Sequence, residues 1–327
     1  MRMGLIQTTM RDGVAASLFA LASSVCVAQA YPVRAVRFVS PYPPGGSNDV
    51  VARLIALRMT QAFGQPWIVE NRPGRGGNIG VDTVAKSLPD GYTLVHGGMG
   101  SLTLAPFLSK LPYDPLRDFA PVTLTARAPN VIAVHPALPV RSVAELIALA
   151  RARPGQLDYA TSGVGSTPHL TAALLLSLTR IKLVHIPYKG STPATVDLVA
   201  GQVPILFAPI SALLPQIGSG KVRAIGVSSL QHSLLLPGIA TISESGVPGF
   251  EMNPWFAMLA PAGTAREIVM RINSEVMRYL RLPEAARQFA AQGADAAFSS
   301  ADELRALIKA DLSLWGKVIR ENQIQGE

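Results

Sequence analysis

Cysteine is almost absent: Cys26 is the single one in 327 residues. A disulfide framework is therefore excluded, and so is a cysteine-based metal centre. Charged residues are sparse at 15%, and aromatics reach only 6%. The formal charge is +8, yet the basic residues are scattered and no run of five or six occurs. Without a basic stripe or a stacking platform, nucleic-acid binding does not fit, and a mildly positive receptor for anions is the simpler reading. The five histidines, His96, His135, His169, His185 and His232, stand far apart with no carboxylate at metal-ligand spacing, so no metal site is expected. Beyond the first 30 residues no stretch is long and apolar enough to cross a bilayer. Apolar residues are plentiful, at 49%, enough for a large buried core.

The N-terminus carries the pattern of a cleaved signal peptide. Arg2 and Arg11 precede the apolar stretch Val14 to Val27, and Ala28-Gln-Ala30 supplies an A-x-A site, so the mature chain should begin at Tyr31 after export. Cys26 reads as a residue of the apolar stretch. The alternative, a lipid-attachment cysteine, lacks the Leu and the small residue that should precede it.

The remaining sequence alternates short apolar strands with amphipathic helices. Strands are expected at 33–40, 67–71, 92–97, 157–160, 183–188, 204–208 and 223–228. Helices fall between them, and 121–134 is strand-like. This is an α/β pattern with largely parallel sheets covered by helices on both faces. Three helices close the chain, with capping boxes expected at Thr264 to Glu267 and Ser300 to Glu303. Pro-rich stretches near 126–130 and 250–255 read as two crossings between lobes. The expected division is 31–128 plus 253–327 for a discontinuous first lobe and 129–252 for the second.

Small polar residues gather at five strand-to-helix junctions. The first, Tyr42 to Asp49, ends in Ser47, Asn48 and Asp49, all good helix caps. The others are Asn71 to Gly80, Gly97 to Thr103, Thr161 to His169 and Pro187 to Pro193. Helix N-termini offer unpaired N–H groups and a partial positive charge, which suits a carboxylate or phosphate. Each junction alone reads equally well as an ordinary turn; five on one sheet edge point to a site. Asp49 either caps its helix or meets an amine. Lys189 either contacts an anion or is solvated, and Trp255 either walls the cleft or packs.

Enzyme motifs fail on inspection. Gly218-Ser-Gly-Lys-Val222 lacks the first Gly and last Ser/Thr of a P-loop, and Gly163-Val-Gly165 meets Pro168 where a dinucleotide motif needs Gly. There is no G-x-S-x-G elbow and no cofactor is implied.

The ordered set Pro43-Pro-Gly-Gly-Ser-Asn-Asp49, Val69-Glu-Asn-Arg-Pro-Gly74, Pro89-Asp-Gly-Tyr-Thr-Leu94, Ser162-Gly-Val-Gly-Ser-Thr-Pro-His169, Val184-His-Ile-Pro-Tyr-Lys-Gly190 and Leu259-Ala-Pro-Ala-Gly-Thr264 resembles the Bug family. These are periplasmic solute receptors of tripartite tricarboxylate transporters. The resemblance implies a two-lobed, type II-like periplasmic-binding-protein fold with a mainly parallel sheet in each lobe. It implies capture of a small carboxylate between the lobes and delivery to integral-membrane permease subunits, by a monomer. Carried over by position, the ligand residues would be Tyr42, Gly46, Ser47, Asn48, Asp49, Asn78, Ser101, Ser162, Gly165, Ser166, Thr167, His169, Tyr188, Lys189 and Gly190. Three positions depart from the family: Ala208 stands where Asp is common, Arg75 replaces a small residue, and Asn253-Pro254 precedes Trp255. Two other readings are a receptor for a signalling partner and an exported serine hydrolase using the Gly163 to Thr167 loop with His169.

Overall fold

The computed structural model describes residues 31–324. The expected signal peptide, its cleavage after Ala30 and Cys26 lie outside the described residues. From Arg34 to Ile324 the chain is one compact unit built on two sheets.

The first sheet contains β1 (Val36–Ser40), β2 (Trp67–Asn71), β3 (Thr93–Gly98), β4 (Phe119–Arg127), β10 (Trp255–Pro261) and β11 (Asp295–Ala296), in the order β11-β4-β10-β3-β1-β2. The second contains β5 (Asn130–Val134), β6 (Asp158–Thr161), β7 (Val184–Pro187), β8 (Ile205–Pro209) and β9 (Arg223–Val227), in the order β7-β6-β8-β5-β9. Strands β1, β2 and β3 pair parallel, as do β6, β7 and β8. The strands at the crossings break the expected parallel pattern. β10 runs antiparallel to both β3 and β4, and β5 runs antiparallel to both β8 and β9. The sheets are thus mixed, because a strand that leaves one sheet for the other cannot make the helical crossover a parallel neighbour requires.

Helices α1 (Ser47–Phe63), α2 (Asn78–Ala85), α8 (Arg266–Leu280) and α10 (Ala301–Glu321) cover the first sheet. α1 packs on β2 and against α8, and α10 lies over β4. A single turn, α3 (Ala105–Leu108), follows a wide π-turn at Gly100–Leu104. The second sheet carries α4 (Val143–Ala152), α5 (Thr167–Thr179), α6 (Ser191–Val199) and α7 (Ile210–Gly218), and α9 (Pro283–Ala290) sits beside β11. One apolar cluster includes Trp255, Phe119, Leu124, Ile132, Phe207 and Trp315; a second, of Val131, Leu206, Leu213 and Val227, fills the other face of β5 and β8.

The capping chemistry explains several boundaries. Ser300 and Glu303 form a reciprocal capping box at α10. At α8 the expected box is absent: Ala265 is the cap, and Thr264 Oγ1 instead donates to the Pro261 carbonyl. The preceding turn captures the hydroxyl before the helix can use it.

The chain passes between the sheets at 127–130 and returns at 252–255, and the two passages are bonded together. Ala128 N–H donates to the Pro254 carbonyl at 2.7 Å, Arg127 Nη1 reaches the Asn253 carbonyl, and Ser228 Oγ joins Met252 O to Asn130 N–H.

Candidate functional site

A cleft of about 1360 Å³ opens over these passages, with Ala128, Pro209, Pro254 and Trp255 on its wall. Residues from both sheets complete it. Gly46, Ser47 and Asn48 come from the start of α1, and Gly165, Ser166 and Thr167 from the start of α5.

The α1 terminus is held open by its surroundings. Gly46, in extended geometry, is the cap, and no side chain caps the helix. The expectation that Ser47, Asn48 or Asp49 caps it is therefore corrected: α1 begins one residue earlier than that reading allows. The first intrahelical bond is Val50 N–H to Gly46 O, so the N–H groups of Ser47, Asn48 and Asp49 have no partner within the helix. Asn48 is buried, and its side chain is used from below. It accepts from Ser40 Oγ at 3.1 Å and donates to the His96 carbonyl at 3.0 Å. His96 in turn contacts Asn48 O and Thr125 Oγ1, and burial pulls its pKa down to about 3. This neutral network leaves the backbone of Asn48 as the part offered to the cleft.

Asp49 faces away from the cleft. Its carboxylate accepts from Gly45 N–H, Arg53 Nε and Asn71 Nδ2. Burial pushes the carboxyl up, but these hydrogen bonds outweigh it and hold the pKa below the ordinary range. It fastens the first junction to β2.

On the opposite wall, Gly165 has φ +73, a region where glycine is favoured. A Cβ there would lie 2.7 Å from Leu108 Cδ1, so the two walls touch at this point. A second contact joins Ser47 Oγ and Ser211 Oγ at 3.3 Å. Ser166 caps α5, accepting from His169 N–H and donating to Gly163 O. Thr167 is the first residue of α5, so its N–H has no intrahelical partner, and Pro168 beside it has no N–H to offer. His169 Nδ1 accepts from Gly165 N–H at 3.0 Å. Burial, with His185 stacked 4.2 Å away, lowers its pKa to about 4.

Tyr42 and Asn78 also line the cleft. Tyr42 is pushed up by burial, against hydrogen bonds with Ser101. Asn78 Oδ1 accepts from Tyr113 Oη at 2.9 Å. The remaining expected residues lie outside the lining. Ser101 is buried and donates to Gly98 O. Ser162 O accepts from Gly190 N–H, and Tyr188 Oη donates to Asp197. Lys189 and Gly190 follow β7, an edge strand three places from the crossing strand β5. That offset sets the fifth junction behind the fourth, where Tyr188 O lies 3.0 Å from a Cβ built on Gly163.

Sequence reasoning passed over the apolar wall of Ile79, Met99, Leu108, Leu111 and Phe256 and the charged residues Asp82 and Lys110. Apolar residues in a cleft carry the same pattern as core residues, so only Trp255 gave a signal. Trp255 both lines the cleft and packs: it is 1% exposed, and its indole N–H donates to Asp311 Oδ2 at 2.7 Å.

Residues 51–324 match the family described as tripartite tricarboxylate transporter family receptor. The chain belongs to that family. Its receptors are periplasmic solute-binding proteins, and their fold is the two-lobed periplasmic-binding-protein fold. The family member BugT of Bordetella pertussis is 39% identical over 297 residues, covering 90% of this chain and 91% of its own. Two solved structures come from Rhodopseudomonas palustris. Rpa4515 with adipate superposes with TM-score 0.80 at 36% identity, over 91% of this chain and 100% of its own. MatC with bound malate gives 0.73 at 32% identity, over 88% and 100%.

Proposed function

We propose that this protein is an exported solute receptor that closes two lobes over a small carboxylate and delivers it to the permease of a tripartite transporter. The observation that carries the reading is the pair of helix N-termini, α1 from one sheet and α5 from the other, lining one cleft. A carboxylate seated there would accept from Ser47, Asn48 and Thr167 N–H groups and meet the positive ends of two helix dipoles. Contacts from both lobes to one ligand exist only when the lobes are together, so binding favours the closed form. The moving bodies would be 31–128 with 253–327, and 129–252, turning about the bonded passages at 127–130 and 252–255.

Within this reading Tyr42, Gly46, Ser47, Asn48, Asn78, Gly165, Ser166 and Thr167 contact the ligand or its waters. Asp49, Ser101, Ser162, His169, Tyr188, Lys189 and Gly190 shape the loops that do. The protein acts as a monomer, is cleaved after Ala30 and performs no catalysis. Against the hydrolase reading, Ser166 Oγ donates to a carbonyl and the His169 ring nitrogen Nδ1 is taken by Gly165, so no activated nucleophile is assembled.

A thermal-shift screen against mono-, di- and tricarboxylates, acidic amino acids and aromatic acids tests this. A ligand at about 100 times its Kd adds roughly 2.7 kcal/mol of stability. A saturable shift with one acid class is expected. No shift with any acid, after unfolding and refolding to remove bound ligand, would overturn the reading.

A further inference from the structure

Three charged side chains line the cleft: Arg75, Asp82 and Lys110. Asp82 is ion-paired with Lys86 at 2.8 Å, so that pair is neutral. Among the described residues neither Arg75 nor Lys110 has an ion-pair or side-chain hydrogen-bond partner. Both belong to one part of the wall. Arg75 lies three residues before Asn78, Lys110 three before Tyr113, and the Tyr113 hydroxyl donates to Asn78 Oδ1.

The backbone at Arg75 adds a second, independent observation. Its φ is +46, and Gly74, Gly76 and Gly77 around it have φ +132, +65 and +98. Every residue of this turn sits where glycine is at ease and L side chains rarely go. The turn nevertheless carries an arginine, and Arg75 is one of the residues that line the cleft. Strain of this kind persists where a side chain is wanted for a function.

We infer that Arg75 and Lys110 form a second anion subsite, which selects ligands carrying two negative charges on an apolar body. The inference rests on the carboxylate-receptor reading above. The first carboxylate takes the N–H groups of α1 and α5, where no charged side chain is offered. The rest of the wall, Met99, Leu108 and Leu111 among it, suits methylenes or a ring. The second carboxylate then meets the guanidinium and the ammonium. Monocarboxylates of the same length lose that contact.

The test is calorimetric titration of the full-length chain, as processed on export, with acids matched in carbon number: succinate and butyrate, adipate and hexanoate, sebacate and decanoate. Wild type should prefer the diacid of at least one pair by about tenfold or more, the size of one charge-assisted hydrogen bond. That preference should weaken with added salt. In Arg75→Gly/Lys110→Ala it should fall to within about twofold, with monocarboxylate affinity unchanged. Glycine at 75 relieves the backbone, so the single variant Arg75→Gly should melt no lower than wild type. Equal affinity for diacid and monoacid in wild type, or a preference retained by the double variant, overturns the subsite and leaves the receptor reading standing. No binding by any of the six acids or the wider carboxylate panel overturns the receptor reading and the subsite with it.

Discussion

Gly80 sits in the first turn of α2, and replacing it with alanine sets two physical effects against each other. Helix propensity alone favours alanine over glycine by about 1 kcal/mol. Packing opposes it. A Cβ at Gly80 would stand 2.8 Å from Arg72 O, from Pro41 Cα and from Pro41 Cβ. Two of those atoms are backbone, and the third belongs to a proline ring, so no rotamer change relieves the overlap. Overpacking of this kind costs about 1–3 kcal/mol, and three short contacts to stiff atoms place Gly80→Ala at the upper end. Less the propensity gain, the net loss should be about 2 kcal/mol. Pro41 immediately precedes the first junction and Arg72 lies in the second, so Tyr42 and Asn78 should shift with them and carboxylate affinity should fall as well. Urea denaturation followed by far-UV circular dichroism measures the stability term. A gain of about 1 kcal/mol, as for an exposed helix position, would refute the close approach of α2 to the Pro41 and Arg72 backbones.

Other perturbations separate support from contact. Asn48→Ala removes two buried hydrogen bonds and orphans Ser40 Oγ, so denaturation should show a loss of about 2–4 kcal/mol; an unchanged midpoint would mean the network beneath α1 is not formed. Trp255 is on the cleft wall whereas Trp67 and Trp315 are not, so ligand should change intrinsic fluorescence in wild type and not in Trp255→Phe; an equal change in both would remove Trp255 from the binding region. His169 titrates near 4 when folded against 6.5 when unfolded, so its contribution is complete above pH 6.5 and is lost as pH falls toward 4, by at most about 3 kcal/mol at 1.36 kcal/mol per unit. Asp311 works in the opposite sense. Burial raises its carboxyl to about 6, so its contribution is present below 3.8 and is lost as pH rises through 6. Comparing wild type with His169→Gln between pH 6.5 and 4 isolates the histidine, and wild type should lose more stability than the variant; identical pH profiles would contradict the burial of a neutral imidazole.

Much of the architecture was legible because it is written locally. The period of apolar residues marks β1 to β3 with α1 and α2, and Ser300 announces α10 through a capping box that the folded chain uses. What was not legible depends on partners distant in sequence. Asp49 reads as a cap or an amine ligand until Asn71, 22 residues on, takes one of its oxygens. Tyr188 reads as a ligand residue, and the sequence does not show that its hydroxyl donates to Asp197 or that it stands outside the cleft lining. The antiparallel place of β10 depends on its neighbours β3 and β4, not on its own residues. The apolar half of the cleft was hidden for a simpler reason: Leu108 and Leu111 look the same in the sequence whether a side chain or a ligand covers them.

The most direct measurement is the crystal structure of the protein with the acid that gives the largest thermal shift. The expected result is one carboxylate within hydrogen-bonding distance of Ser47, Asn48 and Thr167 N–H, touched by residues of both lobes. A carboxylate held by one lobe alone, or bound outside the cleft while water occupies the α1 and α5 termini, would contradict the proposal that the two helix N-termini form the receptor site.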